Sequence, residues 1–326
     1  MTRVVVLAGG TGGAKLAAGF QAVLPAGDLT VIVNTGDDVE RHGLLVMPDH
    51  DAVLYMLQDR FDHERGWGIA GETWTVMDGL KAYGEEGWFG LGDRDFATHI
   101  ARSARIRRGE SVTAAVLALQ AATGLATQVL PMADQPVRTQ VQTDDGWLEF
   151  QEYFVHRHQG PEVRAVRFDG IEAARPTTEV LAALAAADLI VIGPSNPIVS
   201  LGPILAVPGM AEAIAAARAR GVTVMTVSGI VGGKALKGPA DRMLTSLGHE
   251  SSALGVARLL AAQTDTFVLD DVDAASEADI AALGLGTHAT DSIMADAAGR
   301  ARLAADLLEA AGRRMPARPA GPAGPA

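Results

Sequence analysis

The chain has 326 residues, 48% of them apolar and 20% charged, with a net charge of −12 and no cysteine. These figures exclude disulfides, thiolate metal sites and a cysteine nucleophile, and argue against a nucleic-acid partner, because nothing neutralises phosphate in bulk. No apolar run reaches the ~18 residues of a membrane span, and the chain opens on a strand and not on a basic-then-apolar leader, so no membrane partner and a cytoplasmic location are expected.

Arg3 to Ala8 is a mostly β-branched run that reads as a buried parallel strand. Gly9-Gly10-Thr11-Gly12-Gly13-Ala14-Lys15 follows, and a helical pattern starts at Ala14 with Leu16, Phe20, Val23 and Leu24 on one face. Strand, glycine loop and helix N-terminus form an anion site, since the loop N–H groups and the helix dipole both favour negative charge. The loop is not a Walker loop, because Leu16 replaces the metal-binding hydroxyl. It is not a dinucleotide fingerprint either, because Lys15 falls where the third glycine belongs. A plain tight turn is the alternative, but four glycines and a lysine exceed what a turn needs.

Leu29 to Val33 is the second strand of a right-handed βαβ unit. Asn34-Thr35-Gly36-Asp37-Asp38 lies at its carboxyl end, where open α/β sheets place ligands. Adjacent carboxylates there suit a hard cation such as magnesium, or are a solvated acidic turn. Helices are expected over 52–61, 74–83, 95–107 and 111–124, with Asp51 and Ser111 as caps. Trp67, Trp74 and Trp88 fall in this stretch and are expected mostly in the core, although Trp88 in Gly-Trp-Phe-Gly sits on a loop, where it can stack on a flat ligand. Leu91-Gly92-Asp93-Arg94-Asp95 reads as a charged loop facing a ligand or as a helix start.

Strands are expected over 129–141, 147–154 and 163–168, with Asp144-Asp145-Gly146 as a hairpin turn and Leu130 to Asp134 as a pocket-lining loop. A second α/β half runs from Thr177. It has helices over 179–187, 209–220, 276–283 and 296–311, and strands over 189–192, 222–227 and 266–269. Gly193-Pro194-Ser195-Asn196-Pro197 and Ser228 to Lys234 are further loops of the ligand edge. Residues 1–48 and 127–312 are read as a discontinuous α/β nucleotide-binding domain, 49–126 as a helical insertion and 313–326 as a disordered Pro/Ala/Gly tail. The fold class is α/β, a Rossmann-like three-layer sandwich with a mainly parallel sheet.

No catalytic triad or histidine metal spacing stands out, whereas Asp37, Asp38, Asp49, Asp51, Asp93 and Asp95 cluster in stretches read as loops. Glycine cradles and loop carboxylates suit phosphoryl chemistry, where positioning and charge neutralisation do most of the catalysis. The residues alone point to a nucleotide-using phosphotransferase or a nucleotide-binding protein.

Gly9 to Leu16, Val33 to Asp38, Pro48-Asp49-His50-Asp51, Leu91 to Asp95, Leu130-Pro131-Met132, Ile192 to Pro197 and Lys237-Gly238-Pro239-Ala240 occur in this order. In them the chain resembles, from residue 3 to about 311, the 2-phospho-L-lactate transferase family of coenzyme F-420 biosynthesis, which includes bacterial phosphoenolpyruvate transferases. The resemblance implies transfer of a phosphoenolpyruvyl or 2-phospho-L-lactyl group from a guanosine diphosphate-linked donor to the terminal ribityl hydroxyl of the deazaflavin Fo. Guanosine monophosphate leaves, and the enzyme is a cytoplasmic, magnesium-using homodimer. It further implies that Gly10, Thr11, Gly12, Gly13 and Lys15 hold the donor diphosphate, with Gly193, Ser195 and Asn196 against the nucleotide. Asp37, Asp49 and Asp51 ligate magnesium or orient the hydroxyl, Asp51 contacts the ribityl chain, Asp93 lies at the substrate, and Trp88, Phe89 and Met132 border the deazaflavin ring. Asp51→Asn is expected to spare the fold and lose turnover. Gly90 stands where some relatives carry a basic side chain, so that contact is absent. Composition rich in Ala, Arg and Gly suggests a high-GC bacterial source and therefore the enolpyruvyl donor. The alternative is a non-catalytic nucleotide-sugar-binding regulator of the gluconeogenesis-factor-like type, which shares the glycine loop; Pro48–Asp51 and Leu91–Asp95 favour the transferase.

Overall fold

The computed structural model describes residues 2–314. Seven parallel strands form the central sheet, in the spatial order Gly286–Thr290, Thr266–Asp270, Thr223–Val227, Leu189–Ile192, Val4–Ala8, Leu29–Val33 and Gln128–Pro131. From Val4–Ala8 the chain first builds outward through Leu29–Val33 to Gln128–Pro131. It then returns to place Leu189–Ile192 on the other side and builds outward the opposite way. The order therefore reverses between Val4–Ala8 and Leu189–Ile192, which pair with Val4 opposite Leu189 and Leu7 opposite Ile192. A crevice opens outside the carboxyl ends at such a reversal.

The sheet is covered on both faces, so its strands are apolar on both. Val5, Leu7, Ile32, Ile190 and Ile192 pack in one core with the helices Thr178–Ala186, Met210–Ala219 and Ala253–Leu260. Val4, Val6, Val31, Val33 and Val191 pack in the other with Gly10–Val23, Pro48–Leu57 and Ala297–Arg314. The result is the expected three-layer, Rossmann-like sandwich. Two smaller units sit at its carboxyl edge. One joins the hairpin Val39–Arg41/Leu44–Val46 to the helices Thr75–Ala82 and Asp93–Arg107 around Val39, Val46, Met77 and Phe96. The other is an antiparallel sheet of Arg138–Thr143, Gly146–Glu149 and Ala165–Asp169, with Gly146 at φ 103° in the expected hairpin turn.

The structure corrects several expected elements. The first helix starts at Gly10, so Gly12 and Gly13 lie in its first turn and not in a loop. The next helix runs Pro48–Leu57, beginning before Asp51 instead of being capped by it; Pro48 at the first position presets φ, and Asp49 and Asp51 suit the dipole of the first turn. The strand expected over 147–154 stops at Glu149, and Glu152–His156 is a wide helical turn. The edge strand Gly286–Thr290 is half-buried and built of small residues, so it carries no strand signal. Met132 is wholly buried in the core and borders no open surface, since its stretch continues the edge strand that ends at Pro131, which the surrounding helices cover. Of the tryptophans expected in the core, Trp67 is 43% exposed and Trp74 and Trp88 are half-buried. The last helix continues to Arg314, and the remainder of the tail assigned to 313–326 lies outside the described residues.

Gly10–Val23 lies against Ala297–Arg314 so closely that a Cβ on Gly19 would stand 2.2 Å from the Arg300 carbonyl oxygen. Backbone cannot step aside as a side chain can. Gly19→Ala is expected to destabilise the fold by about 1–3 kcal/mol, the usual effect of overpacking, and thermal unfolding would show it as a lowered Tm. An unchanged Tm would mean that the two helices are not in this contact.

Candidate active site

The loops after Val4–Ala8 and Leu189–Ile192 meet backbone to backbone. A Cβ on Gly12 would stand 2.2 Å from the Pro194 carbonyl oxygen, and one on Gly13 would stand 2.6 Å from the Ala8 Cβ. Gly193 is less tightly held: a Cβ there would stand 3.0 Å from the Leu7 carbonyl oxygen. Ser195 is buried and ties the two loops: its Oγ accepts from Gly9 N at 3.1 Å and donates to the Gly9 carbonyl at 2.7 Å. Asn196 Oδ1 accepts from the amides of Ile198 and Val199, at 2.9 and 3.4 Å, which fixes the turn that follows. The glycines are thus required first by close packing. The helix N-terminus that this packing creates carries Thr11 and, one turn in, the half-buried Lys15.

Asp49 reaches the same helix end. Gly10 is at φ 60°, a conformation natural to glycine, and its N–H serves the Asp49 carboxylate. Asn34 Nδ2 donates to Asp49 Oδ2 at 2.9 Å, while Asn34 Oδ1 accepts from Gly36 N at 2.7 Å and shapes the acidic turn. Asp37 stands against Asp49, and Gln151 Nε2 donates to the Asp37 carbonyl and Oδ2, at 3.2 and 3.3 Å. Asp37, Asp38 and Asp49 are all buried. Burial first, then the neighbouring carboxylates, push Asp37 well above the ordinary aspartate range. Burial also raises Asp38, against the pull of Arg138 and Arg102. Burial raises Asp49 to about 6, although Asn34 and Gly10 hold it back. One oxygen each of Asp37 and Asp38 has no hydrogen-bond partner, and both residues line a small cleft with Arg138, Gln140 and Gln151.

Asp51 is not in this group. It was read as a loop carboxylate, yet it is buried and turned inward on the fully buried Arg102, which donates to its two oxygens at 2.6 and 2.9 Å. Arg102 also donates to the Leu45 carbonyl at 2.8 Å. His99 lies 3.5 Å from Asp51 and 3.1 Å from Asp95, and Tyr55 donates its hydroxyl to Asp95 at 2.5 Å. The carboxyl of Asp51 is held far below its usual range because the guanidinium outweighs desolvation. Asp93 is likewise engaged: it accepts from the Thr73 hydroxyl at 2.5 Å and from the amides of Thr75 and Val76, capping the Thr75–Ala82 helix. Trp88 stacks flat on His156 at 4.8 Å, with the Arg41 guanidinium 4.6 Å from its ring. Arg102 and Gln151 carried no motif in the sequence. Arg102 is one of four arginines on the helix Asp93–Arg107, and nothing in the sequence separates it from Arg94, Arg105 and Arg107, which are not buried.

Asp37, Asp49 and Asp51 do not converge as a three-carboxylate metal site, and no group of three or more His, Cys, Asp or Glu among the described residues could hold a metal. Asp37 and Asp49 do form a pair with an unpartnered buried oxygen. That pair fits magnesium, which takes one or two carboxylates and fills its shell with water and substrate phosphates.

The family profile described as 2-phospho-L-lactate transferase CofD matches residues 4–307. A phosphoenolpyruvate transferase of Streptomyces griseus is 44% identical over 315 residues, covering 95% of this chain and 98% of that protein. A 2-phospho-L-lactate transferase of Methanosarcina mazei is 38% identical over 307 residues, covering 94% of this chain and 100% of that protein. A crystal structure of a UPF0052 family protein from Bacillus halodurans is 16% identical with a TM-score of 0.59, over 94% of this chain and 99% of that one. At that identity the likeness is one of fold.

Two expectations follow from the buried charges. Asp51→Asn leaves Arg102 buried without its counter-charge, so it should destabilise by about 3–5 kcal/mol, contrary to the fold-sparing outcome expected from sequence. A Tm within a degree or two of wild type would overturn the ion pair. The second concerns pH. Between about pH 4, where an unfolded aspartate titrates, and about pH 6, the folded chain keeps a proton on Asp49 that the unfolded chain has released. Stability therefore falls as pH rises through that window. Urea melts should show the fall shrink in Asp49→Asn; a fall of the same size in the variant would place its cause elsewhere.

Proposed function

The chain belongs to the 2-phospho-L-lactate transferase CofD family, and from that premise we propose that it moves a phosphoenolpyruvyl group from a guanosine diphosphate-linked donor to the terminal hydroxyl of the deazaflavin Fo, releasing guanosine monophosphate. One observation carries the reading. At the crevice where the strand order reverses, a helix N-terminus with Lys15 stands beside a buried carboxylate pair that, among the described residues, has no cationic side chain paired with it. A phosphate site and a cation site in contact are what phosphoryl transfer requires. The enolpyruvyl donor is preferred because the Streptomyces griseus relative so named is 44% identical, against 38% for the lactyl enzyme of Methanosarcina mazei. The reading keeps the enzyme as a cytoplasmic homodimer; no helix among the described residues is long and apolar enough to cross a membrane.

In this mechanism the Gly10 helix end and Lys15 hold the donor's phosphates. Ser195 and Asn196 act through the backbone they fix, forming a rigid wall for the nucleotide. Asp37 and Asp49 would hold magnesium, which when bound offsets phosphate charge. The hydroxyl oxygen of Fo forms a bond to the phosphorus that carries the acid, and the bond from that phosphorus to the guanosine monophosphate oxygen breaks. The leaving group takes the electron pair, and the hydroxyl proton passes to a carboxylate. Asp38 is the candidate acceptor, since burial makes it more basic than an ordinary aspartate and one of its oxygens is unpartnered. Trp88 and Phe89, at the rim beside Arg41, offer ring faces for the deazaflavin.

Equal amounts of enolpyruvyl and lactyl guanylyl donors, offered with Fo and magnesium, should give mainly the product lacking two hydrogens, read by mass. Dominance of the lactyl product would reverse the donor preference. Pockets separate such close analogues by about 1–3 kcal/mol, so initial rates must be compared. Asp37→Asn should lower kcat by about 100-fold or more, as loss of one electrostatic contact at a transition state does. Full turnover after exhaustive chelation would remove the metal role of the Asp37–Asp49 pair.

A further inference from the structure

The third glycine-rich stretch takes no part in the reading above. It folds as a small hairpin, Ile230–Val231 against Lys234–Ala235, and the chain then continues through the exposed Leu236 and Lys237. Lys237 reaches back over the crevice. Its Nζ donates to Thr11 Oγ1 at 3.1 Å and to the Gly66 carbonyl at 2.6 Å. Thr11 belongs to the first turn of the Gly10–Val23 helix, and Gly66 to a turn of the inserted segment that follows Pro48–Leu57. One ammonium therefore joins three parts of the chain directly over the phosphate site. Gly66 leaves it room: a Cβ there, where φ is 78°, would stand 2.7 Å from Nζ.

Lys237 is near enough to Lys15 for that charge, after loss of water, to lower its pKa. No carboxylate pairs with either lysine among the described residues. A latch onto a carbonyl and a hydroxyl needs only a hydrogen-bond donor. A second positive charge held beside Lys15 with no anion between them is unfavourable until an anion arrives. A diphosphate brings such an anion, with more than one phosphate group for two cations to grip.

We propose that Lys237 is the second cation of the donor's diphosphate site, exchanging the Gly66 carbonyl for a phosphate oxygen when the donor binds. The inference rests on the diphosphate reading of the Gly10–Lys15 helix end. It makes the Ser228–Pro239 segment an arm of the binding site, and it explains why the lysine is attached to neither carboxylate nor core.

The test uses the full chain and two probes, GDP and GMP, titrated by calorimetry into wild type, Lys237→Ala and Lys237→Arg, with a thermal melt of each. Wild type should bind GDP more tightly than GMP. Lys237→Ala should weaken GDP by about 10- to 100-fold, the range of a charge-assisted hydrogen bond, and GMP by much less. The arginine variant should recover most of the loss. Equal weakening of both nucleotides, with or without a lowered Tm, would reduce Lys237 to a structural latch and overturn the proposal, as would unchanged GDP binding. If wild type itself fails to prefer GDP, the diphosphate reading falls, and the proposal with it.

Discussion

Among the described residues, the carboxyl edge of the sheet buries more carboxylates than buried cations to match them. Asp37, Asp38, Asp49 and Asp51 all lie inside the carboxyl edge of the sheet. Arg102, fully buried, gives its charge to Asp51 at two short contacts. Arg138 offsets part of the charge on Asp38. Among the described residues, Asp37 and Asp49 face each other, the neighbouring Asp38, two neutral amides from Asn34 and Gln151, and backbone N–H groups. Stranded negative charge in a low-dielectric setting either takes up protons or recruits a cation. The Asp51–Arg102 pair anchors the same helical turn that carries Asp49. Two residues apart on one turn, Asp49 points to the crevice and Asp51 to the interior.

The glycines belong to the same economy of space. Backbone meets backbone where the Gly9–Gly13 and Gly193–Pro197 segments cross, with Ser195 Oγ bonded to both the amide and the carbonyl of Gly9. Side chains there would push apart the two strands whose order reverses, and the crevice would lose its floor. The first turn of the helix is free of bulky side chains because nothing larger than glycine fits beside Pro194, and the N–H groups of such a turn favour negative charge, as the Asp49 carboxylate beside Gly10 already shows.

What could be read from the residues was whatever repeats locally. Inner strands such as Val4–Ala8 and Leu189–Ile192 announce themselves as short apolar runs, and the glycine-rich and acidic motifs fall at the strand ends, as their order in the chain suggests. Burial of charge was not legible. Asp93 and Asp51 look alike in sequence, each an acid beside other acids, yet one caps the Thr75–Ala82 helix and the other neutralises Arg102. Only the long-range partner decides between them, and Arg102 lies 51 residues from Asp51. Met132 differs for the opposite reason: a proline and a methionine suggest a loop, whereas Pro131 ends an edge strand, with a partner on one side only, where a missing amide is tolerated. Lys237 was visible as part of a motif, but its partners Thr11 and Gly66 lie 226 and 171 residues away.

The two small units at the carboxyl edge meet at a cluster of planar side chains. Arg41 comes from the Val39–Val46 hairpin, Trp88 from the loop before Asp93, and His156 from the turn after Gly146–Glu149. Trp88 is sandwiched between the imidazole and the guanidinium, with its Nε1 donating to Glu86 at 3.0 Å. A stack of planar groups binds by dispersion and by the ring quadrupole, so another planar ring can enter it by displacing one layer. Arg41 is the weaker layer. Its Nε is buried without a partner, and its ion pair to Glu149 is long at 3.7 Å. His156, by contrast, is tied to Glu152 at 2.8 Å. An incoming aromatic system would therefore meet least resistance on the Arg41 side. That side also carries Phe89, 5.8 Å from the guanidinium, and the hairpin that leads on through Met47 to Asp49.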